Sequence, residues 1–133
     1  MPKLILFDFF NVIFLSQTQQ GVINQELLKK IDELRKKYKT GIFSNSGFML
    51  KTPFIRAILE KHFDYILSAQ DLNLSKTNPE VYPQVAEKFK IKPEEILFID
   101  DQIKNITAAK QIGCQTILFE DNKQLLRDLS SRL

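Results

Sequence analysis

The sequence predicts an α/β fold with a parallel, doubly wound sheet, and three observations lead there. Short apolar, β-branched or aromatic runs alternate with segments of helical periodicity five times along the chain. The runs are continuously apolar, as strands are when helices cover both faces of their sheet. No linker, low-complexity stretch or internal repeat breaks the alternation, so residues 1–133 read as a single domain. A chain of 133 residues with 44% hydrophobic content is large enough to bury a real core.

The strand candidates are Leu4–Phe7, Gly41–Phe43, Tyr65–Leu67, Ile96–Ile99 and Thr116–Phe119. Residues Phe14–Ile23 have room only for a small flap. Asn24 is a candidate cap for a helix whose stripe is Leu27, Leu28, Ile31, Leu34 and Tyr38. Pro53 suits the first turn of a second helix, with Phe54, Ile55, Ile58 and Leu59 as its apolar face. Val81, Val85, Ala86 and Phe89 make a third stripe, closed before Pro93. Ile103, Ile106, Ala109 and Ile112 make a fourth, stopped by Gly113, and Leu125, Leu126 and Leu129 a short terminal one.

Composition removes several kinds of chemistry. One cysteine, Cys114, excludes an internal disulfide framework, and one histidine, His62, excludes any site that needs two. A His/Cys zinc site or a Ser-His-Asp triad is therefore disfavoured, and both residues read as structural. The net charge of +3 is too mild to imply nucleic acid or membrane. Lys29, Lys30, Arg35, Lys36, Lys37 and Lys39 read as a solvated helix face, because Asp32 and Glu33 interrupt them. The apolar stretch Leu4–Leu15 has the length of a signal-peptide core, but that reading is disfavoured: Asp8 and Asn11 lie inside it, and no small-residue cleavage pattern follows. A cytoplasmic protein is expected.

In open parallel sheets ligands bind beyond the carboxyl ends of the strands. The residues just past the apolar runs are Asp8, then Ser44 and Asn45, then the pair Asp100-Asp101. A single Asp in such a place is ordinarily a turn or cap residue. Several carboxylates converging from separate strands need a cation to stay ionised, and hard oxygen ligands suit Mg²⁺.

Four segments carry a more specific pattern. They are Leu4-Ile5-Leu6-Phe7-Asp8-Phe9-Phe10-Asn11-Val12-Ile13, Ile42-Phe43-Ser44-Asn45-Ser46, Ser75-Lys76-Thr77-Asn78-Pro79-Glu80-Val81-Tyr82, and Ile96 to Ile106 with Ala108, Ala109 and Gly113 beyond it. In this order and spacing the chain resembles the haloacid dehalogenase-like hydrolase superfamily over nearly its whole length. Ser68-Ala69-Gln70-Asp71-Leu72 and the fourth motif most resemble its sugar-phosphate phosphatase branch, which includes α-glucose-1-phosphate phosphatases.

The resemblance implies a Rossmann-like three-layer sandwich with core strand order 5-4-1-2-3, which sets Asp8 beside Asp101. It implies Asp8 as the nucleophile of an aspartyl-phosphate pathway, and Mg²⁺ held by Asp8, the main-chain carbonyl of Phe10 and Asp101. Asp101 is preferred to Asp100 because Asn105 follows it by the family's D-x-x-x-[DN] spacing; Asp100 and Asn105 would support the ligands from behind. Ser44, the Asn45–Ser46 turn and Lys76 would bind phosphate, with Ser44 and Lys76 also serving catalysis.

Two departures qualify the pattern. Where family phosphatases carry a second Asp two residues after the nucleophile, this chain has Phe10, so the general acid is missing. Such an enzyme should favour leaving groups needing little protonation: anomeric sugar, aryl or acyl phosphates. The intervals Asp8–Asn24 and Leu67–Lys76 are also too short for the family's cap domain. An uncapped site implies a phosphorylated small molecule or macromolecule as partner, with a second subunit as an optional lid. The alternatives are a non-catalytic phosphate- or protein-binding relative and, less favoured, a carbon–halogen hydrolase of the haloacid dehalogenase type.

Overall fold

A computed structural model describes residues 1–15 and 21–133. The elements are β1 (Leu4–Phe7), β2 (Phe14–Leu15), β3 (Val22–Ile23), α1 (Gln25–Leu34), β4 (Lys39–Ser44), α2 (Phe48–Lys51) and α3 (Pro53–His62). They continue as β5 (Tyr65–Ser68), α4 (Val81–Lys88), β6 (Ile96–Asp100), α5 (Ile103–Gln111), β7 (Gln115–Leu118) and α6 (Asn122–Arg132). Five strands form one parallel sheet in the order β5-β4-β1-β6-β7, and β2 pairs with β3 as an antiparallel hairpin. Numbering the sheet strands alone from one to five gives the expected order 5-4-1-2-3.

Strand side chains alternate between faces, and here both faces are buried. Ile5, Phe7, Ile42, Leu97, Ile99 and Ile117 pack with Leu27, Leu28 and Ile31 of α1, Leu59 of α3, and Leu125 and Leu129 of α6. Leu4, Leu6, Phe43, Ile96 and Phe98 pack on the other side with Val81, Tyr82 and Val85 of α4 and with Ile106 and Ala109 of α5. Helices on both faces explain why the strands read as unbroken apolar runs. The central strands β1 and β6 are buried throughout, whereas β5 and β7 at the edges are partly exposed.

Local signals in the sequence place most boundaries. The Asn24 side chain accepts the Leu27 N–H and so caps α1. Pro53 opens α3. Gly113 (φ +101°) ends α5, where the Cys114 and Gly113 N–H groups return to the carbonyls of Ala109 and Lys110. Two expected core residues are corrected: Phe54 is 75% exposed and Ile103 is 67% exposed. Both sit in the first turn of a helix, before the helix lies over the sheet. Tyr38 falls beyond the end of α1 and is half-buried against the core. Among the described residues, no helix is long and apolar enough to cross a membrane.

Candidate active site

The carboxylates of the site stand at the ends of buried strands, and Lys76 comes from the loop between β5 and α4. Asp8 directly follows β1, and its N–H continues the ladder to the Ile99 carbonyl at 2.8 Å. Ser44 ends β4, and Asp100 ends β6 with Asp101 next to it. Because β4, β1 and β6 are neighbours in the sheet, residues far apart in sequence meet at one edge. A cleft of about 280 Å³ opens there, lined among others by Asp8, Phe10, Ser44, Asn45, Lys76, Asp101 and Asn105. An adjoining hollow of about 440 Å³ shares Asn11 and Asp101 with it.

Lys76 is the organising cation. Its buried ammonium donates to Asp8 Oδ1 at 2.6 Å, to Asp100 Oδ2 at 2.7 Å and to the Phe43 carbonyl at 3.3 Å. The backbone of Lys76 is held as firmly: its N–H donates to Asn45 Oδ1 at 2.8 Å, and its carbonyl accepts the Tyr82 hydroxyl at 2.7 Å. Tyr82 also reaches the Asn105 carbonyl at 3.3 Å. Burial pushes the Tyr82 hydroxyl far above the ordinary phenol range, so it remains a donor.

The two adjacent aspartates face different partners. Asp100 is wholly buried and accepts from Lys76, from Asn105 Nδ2 at 3.2 Å and from the Gln102 N–H at 2.8 Å. Asp101 is half-buried at the cleft wall, and its Oδ1 is shielded from water without a hydrogen-bond partner among the described residues. A buried carboxylate oxygen left in that state is costly unless something electropositive reaches it.

Asp8 feels the whole cluster. Burial is the largest influence and pushes its carboxyl up to about 7. Lys76 opposes the rise, while the Asp100 and Asp101 carboxylates reinforce it. Asp8 Oδ1 also accepts the Phe9 N–H at 2.8 Å, which fixes the plane of the carboxylate.

Asp8, Asp100 and Asp101 each offer an oxygen, and these oxygens lie within 4.8 Å of one another. Three carboxylates against one ammonium leave the cluster with excess negative charge. The unpartnered oxygen, the raised Asp8 and the all-oxygen donor set fit a hard divalent cation such as Mg²⁺.

The structure thus brings Asp8, Ser44, Asn45, Lys76, Asp100, Asp101 and Asn105 to one place, with Phe10 on the wall. Ser44 is a buried residue that lines the cleft. Asn45 does more than its turn suggested: besides holding Lys76, its carbonyl accepts from the Gln70 N–H and the Ser68 hydroxyl. The positioning role of Tyr82 was not read from the sequence, although its place in the third motif was its signal. His62 and Cys114 do not line the cleft; His62 pairs with Asp32 at 2.8 Å, and burial raises the Cys114 thiol to about 12.

Comparison with known proteins agrees with this geometry. A family profile described as haloacid dehalogenase-like hydrolase matches residues 17–119. Bifunctional epoxide hydrolase 2 of Rattus norvegicus is 35% identical over 71 residues, covering 53% of this chain and 13% of the relative. Phosphoglycolate phosphatase of Escherichia coli is 34% identical over 71 residues, covering 50% of this chain and 28% of the relative. The chain therefore spans well under a third of the length of these curated relatives. A family enzyme from Bacteroides thetaiotaomicron, solved with magnesium and inorganic phosphate, superposes with TM-score 0.78 at 19% identity, covering 96% of this chain and all of the other. With the profile spanning most of its length, this chain belongs to the haloacid dehalogenase-like hydrolase family.

Proposed function

We propose that the protein is a Mg²⁺-dependent phosphomonoester hydrolase working through an aspartyl-phosphate on Asp8. The observation that carries this reading is the convergence of Asp8 and Asp101 on one cleft, with a buried Asp101 oxygen unpartnered and Lys76 bonded to Asp8. Phosphatases among its relatives, and a structural neighbour that holds magnesium and phosphate, support it.

Asp8, Asp101 and the Phe10 main-chain carbonyl would hold Mg²⁺, with Asp100 and Asn105 supporting them. When bound, the ion supplies charge neutralisation between the Asp8 carboxylate and the phosphate dianion. Lys76 keeps Asp8 oriented through the Oδ1 contact and lowers its proton affinity. Ser44 and the N–H groups of the Asn45–Ser46 turn would donate to phosphate oxygens, with the Lys76 charge close by.

An Asp8 oxygen attacks phosphorus, the ester P–O bond breaks, and its electron pair leaves with the alcohol oxygen. Water then attacks the aspartyl-phosphate, releasing inorganic phosphate, restoring the Asp8 carboxylate and passing its proton to solvent. Phe10 supplies no proton to the departing oxygen. The reaction therefore favours groups that leave as stable anions, such as aryl, acyl or anomeric sugar oxygens.

The test is phosphate release from 4-nitrophenyl phosphate with and without Mg²⁺. Metal-dependent turnover that disappears in Asp8→Asn is expected; equal rates in the two proteins would remove the hydrolase reading. Phe10 favours a second reading, a phosphate-binding relative without turnover. Calorimetric phosphate binding, combined with silence against a broad ester panel, would select it. Halide release from a haloacid without Mg²⁺ would instead point to carbon–halogen hydrolysis.

A further inference from the structure

We infer that Phe10 and Phe48 form an aromatic wall at the cleft that selects phosphomonoesters whose leaving group is a planar aromatic ring. The inference rests on the phosphohydrolase reading and narrows its substrate class. Phe10 lines the cleft, and its ring is braced by Phe9 at 4.9 Å and Phe14 at 6.1 Å, both edge-on. Phe48 stands 5.7 Å from Phe10, tilted by 37°, and is 45% exposed. One ring is thus fixed from behind, and the other, next to it, presents apolar surface to water.

The two sides of the cleft differ in kind. Ser44, Lys76, Asp101 and Asn105 make a polar side suited to a phosphoryl group. In-line attack by the buried Asp8 drives the leaving oxygen away from the carboxylate and toward solvent, within a cleft that Phe10 lines. A ring placed there gains offset or edge contacts with Phe10 and Phe48 and covers exposed apolar surface. The same substituent suits the missing acid, because a phenolate carries off the electron pair of the broken P–O bond without a proton. Aromatic wall and absent carboxyl therefore favour one substrate class.

The experiment is calorimetric titration of the whole chain, in Mg²⁺, with phenylphosphonate, methylphosphonate and inorganic phosphate. Phosphonates have no ester bond to cleave, so binding is read apart from turnover. Phenylphosphonate is expected to bind about tenfold more tightly than methylphosphonate, the scale of one good aromatic contact. Phe48→Ala should bring that ratio close to one, and Phe48→Tyr should restore it. Equal affinities in the unaltered protein, or an undiminished ratio in a folded Phe48→Ala, would overturn the aromatic wall and leave the hydrolase reading intact. If neither phosphonate nor phosphate binds, both readings fall.

Discussion

Lys76 and Asp8 meet at 2.6 Å inside the protein, both almost wholly removed from water. Neither charge is tolerable there alone. The same ammonium lies 2.7 Å from Asp100, so a single lysine compensates carboxylates carried by two neighbouring strands. The ion pair is therefore a structural closure of the sheet edge as well as part of the site.

Replacing Lys76 by Met should unbalance that closure. It leaves Asp8 and Asp100 without their buried partner, a change that costs about 3–5 kcal/mol in comparable settings. Denaturant unfolding should show this loss, and phosphate release should fall to the level of Asp8→Asn. A Lys76→Met protein with unchanged stability would mean that the pair contributes nothing net.

Stability without metal should fall as pH rises. Burial raises Asp8 from the ordinary 3.8 to about 7, so the folded state holds its proton more tightly than the unfolded chain. Stability from that proton is complete below about pH 4 and is lost progressively as pH climbs through 7. Thermal melts in EDTA should show the decline. Added Mg²⁺ should stabilise the protein more at pH 8 than at pH 5, since it competes with that proton. A metal increment independent of pH would contradict the assignment of Asp8 as a ligand.

The two adjacent aspartates should separate by phenotype. Asp101→Asn should raise the Mg²⁺ concentration needed for half-maximal turnover at least tenfold with little change in melting temperature. Asp100→Asn should lower the melting temperature, because it weakens the contacts to Lys76 and Asn105. Metal titrations paired with thermal melts decide this, and exchanged phenotypes would reverse the assignment.

Tyr82 should act at a distance. Tyr82→Phe removes the hydroxyl that satisfies the buried carbonyls of Lys76 and Asn105, at a cost of about 1–3 kcal/mol. Turnover should fall as well, because the hydroxyl no longer holds the Lys76 loop in place; denaturant unfolding and phosphate-release assays of the variant check both effects.

Phe10→Asp should supply the proton donor that this chain lacks. Turnover of alkyl phosphates should rise more than that of aryl phosphates, by up to about 10²-fold if the new carboxyl is well placed. Equal change on both substrates would assign Phe10 to packing alone.

The strands were legible because both sheet faces are covered, which leaves each strand an unbroken apolar run; their order was implied only by the family resemblance. The site's carboxylates were legible because parallel topology fixes which end of a strand faces the ligand. What the sequence concealed was two-body geometry. Nothing in the spelling of Asn45 shows that its amide holds Lys76, or that Tyr82 does so from the other side. The exposure of Phe54 and Ile103 was hidden for a related reason: helical periodicity marks a stripe, but not where the helix first meets the sheet.

The carboxylates grow from β1 and β6 and Ser44 from β4, whereas the rims of the sheet belong to β5 and β7. Opening fluctuations begin where backbone hydrogen bonds face solvent, so the rims should unzip first and often. Amide exchange at Phe7, Phe43 and Ile99 should then report only whole-molecule unfolding, and the arrangement of carboxylates would persist through every smaller excursion.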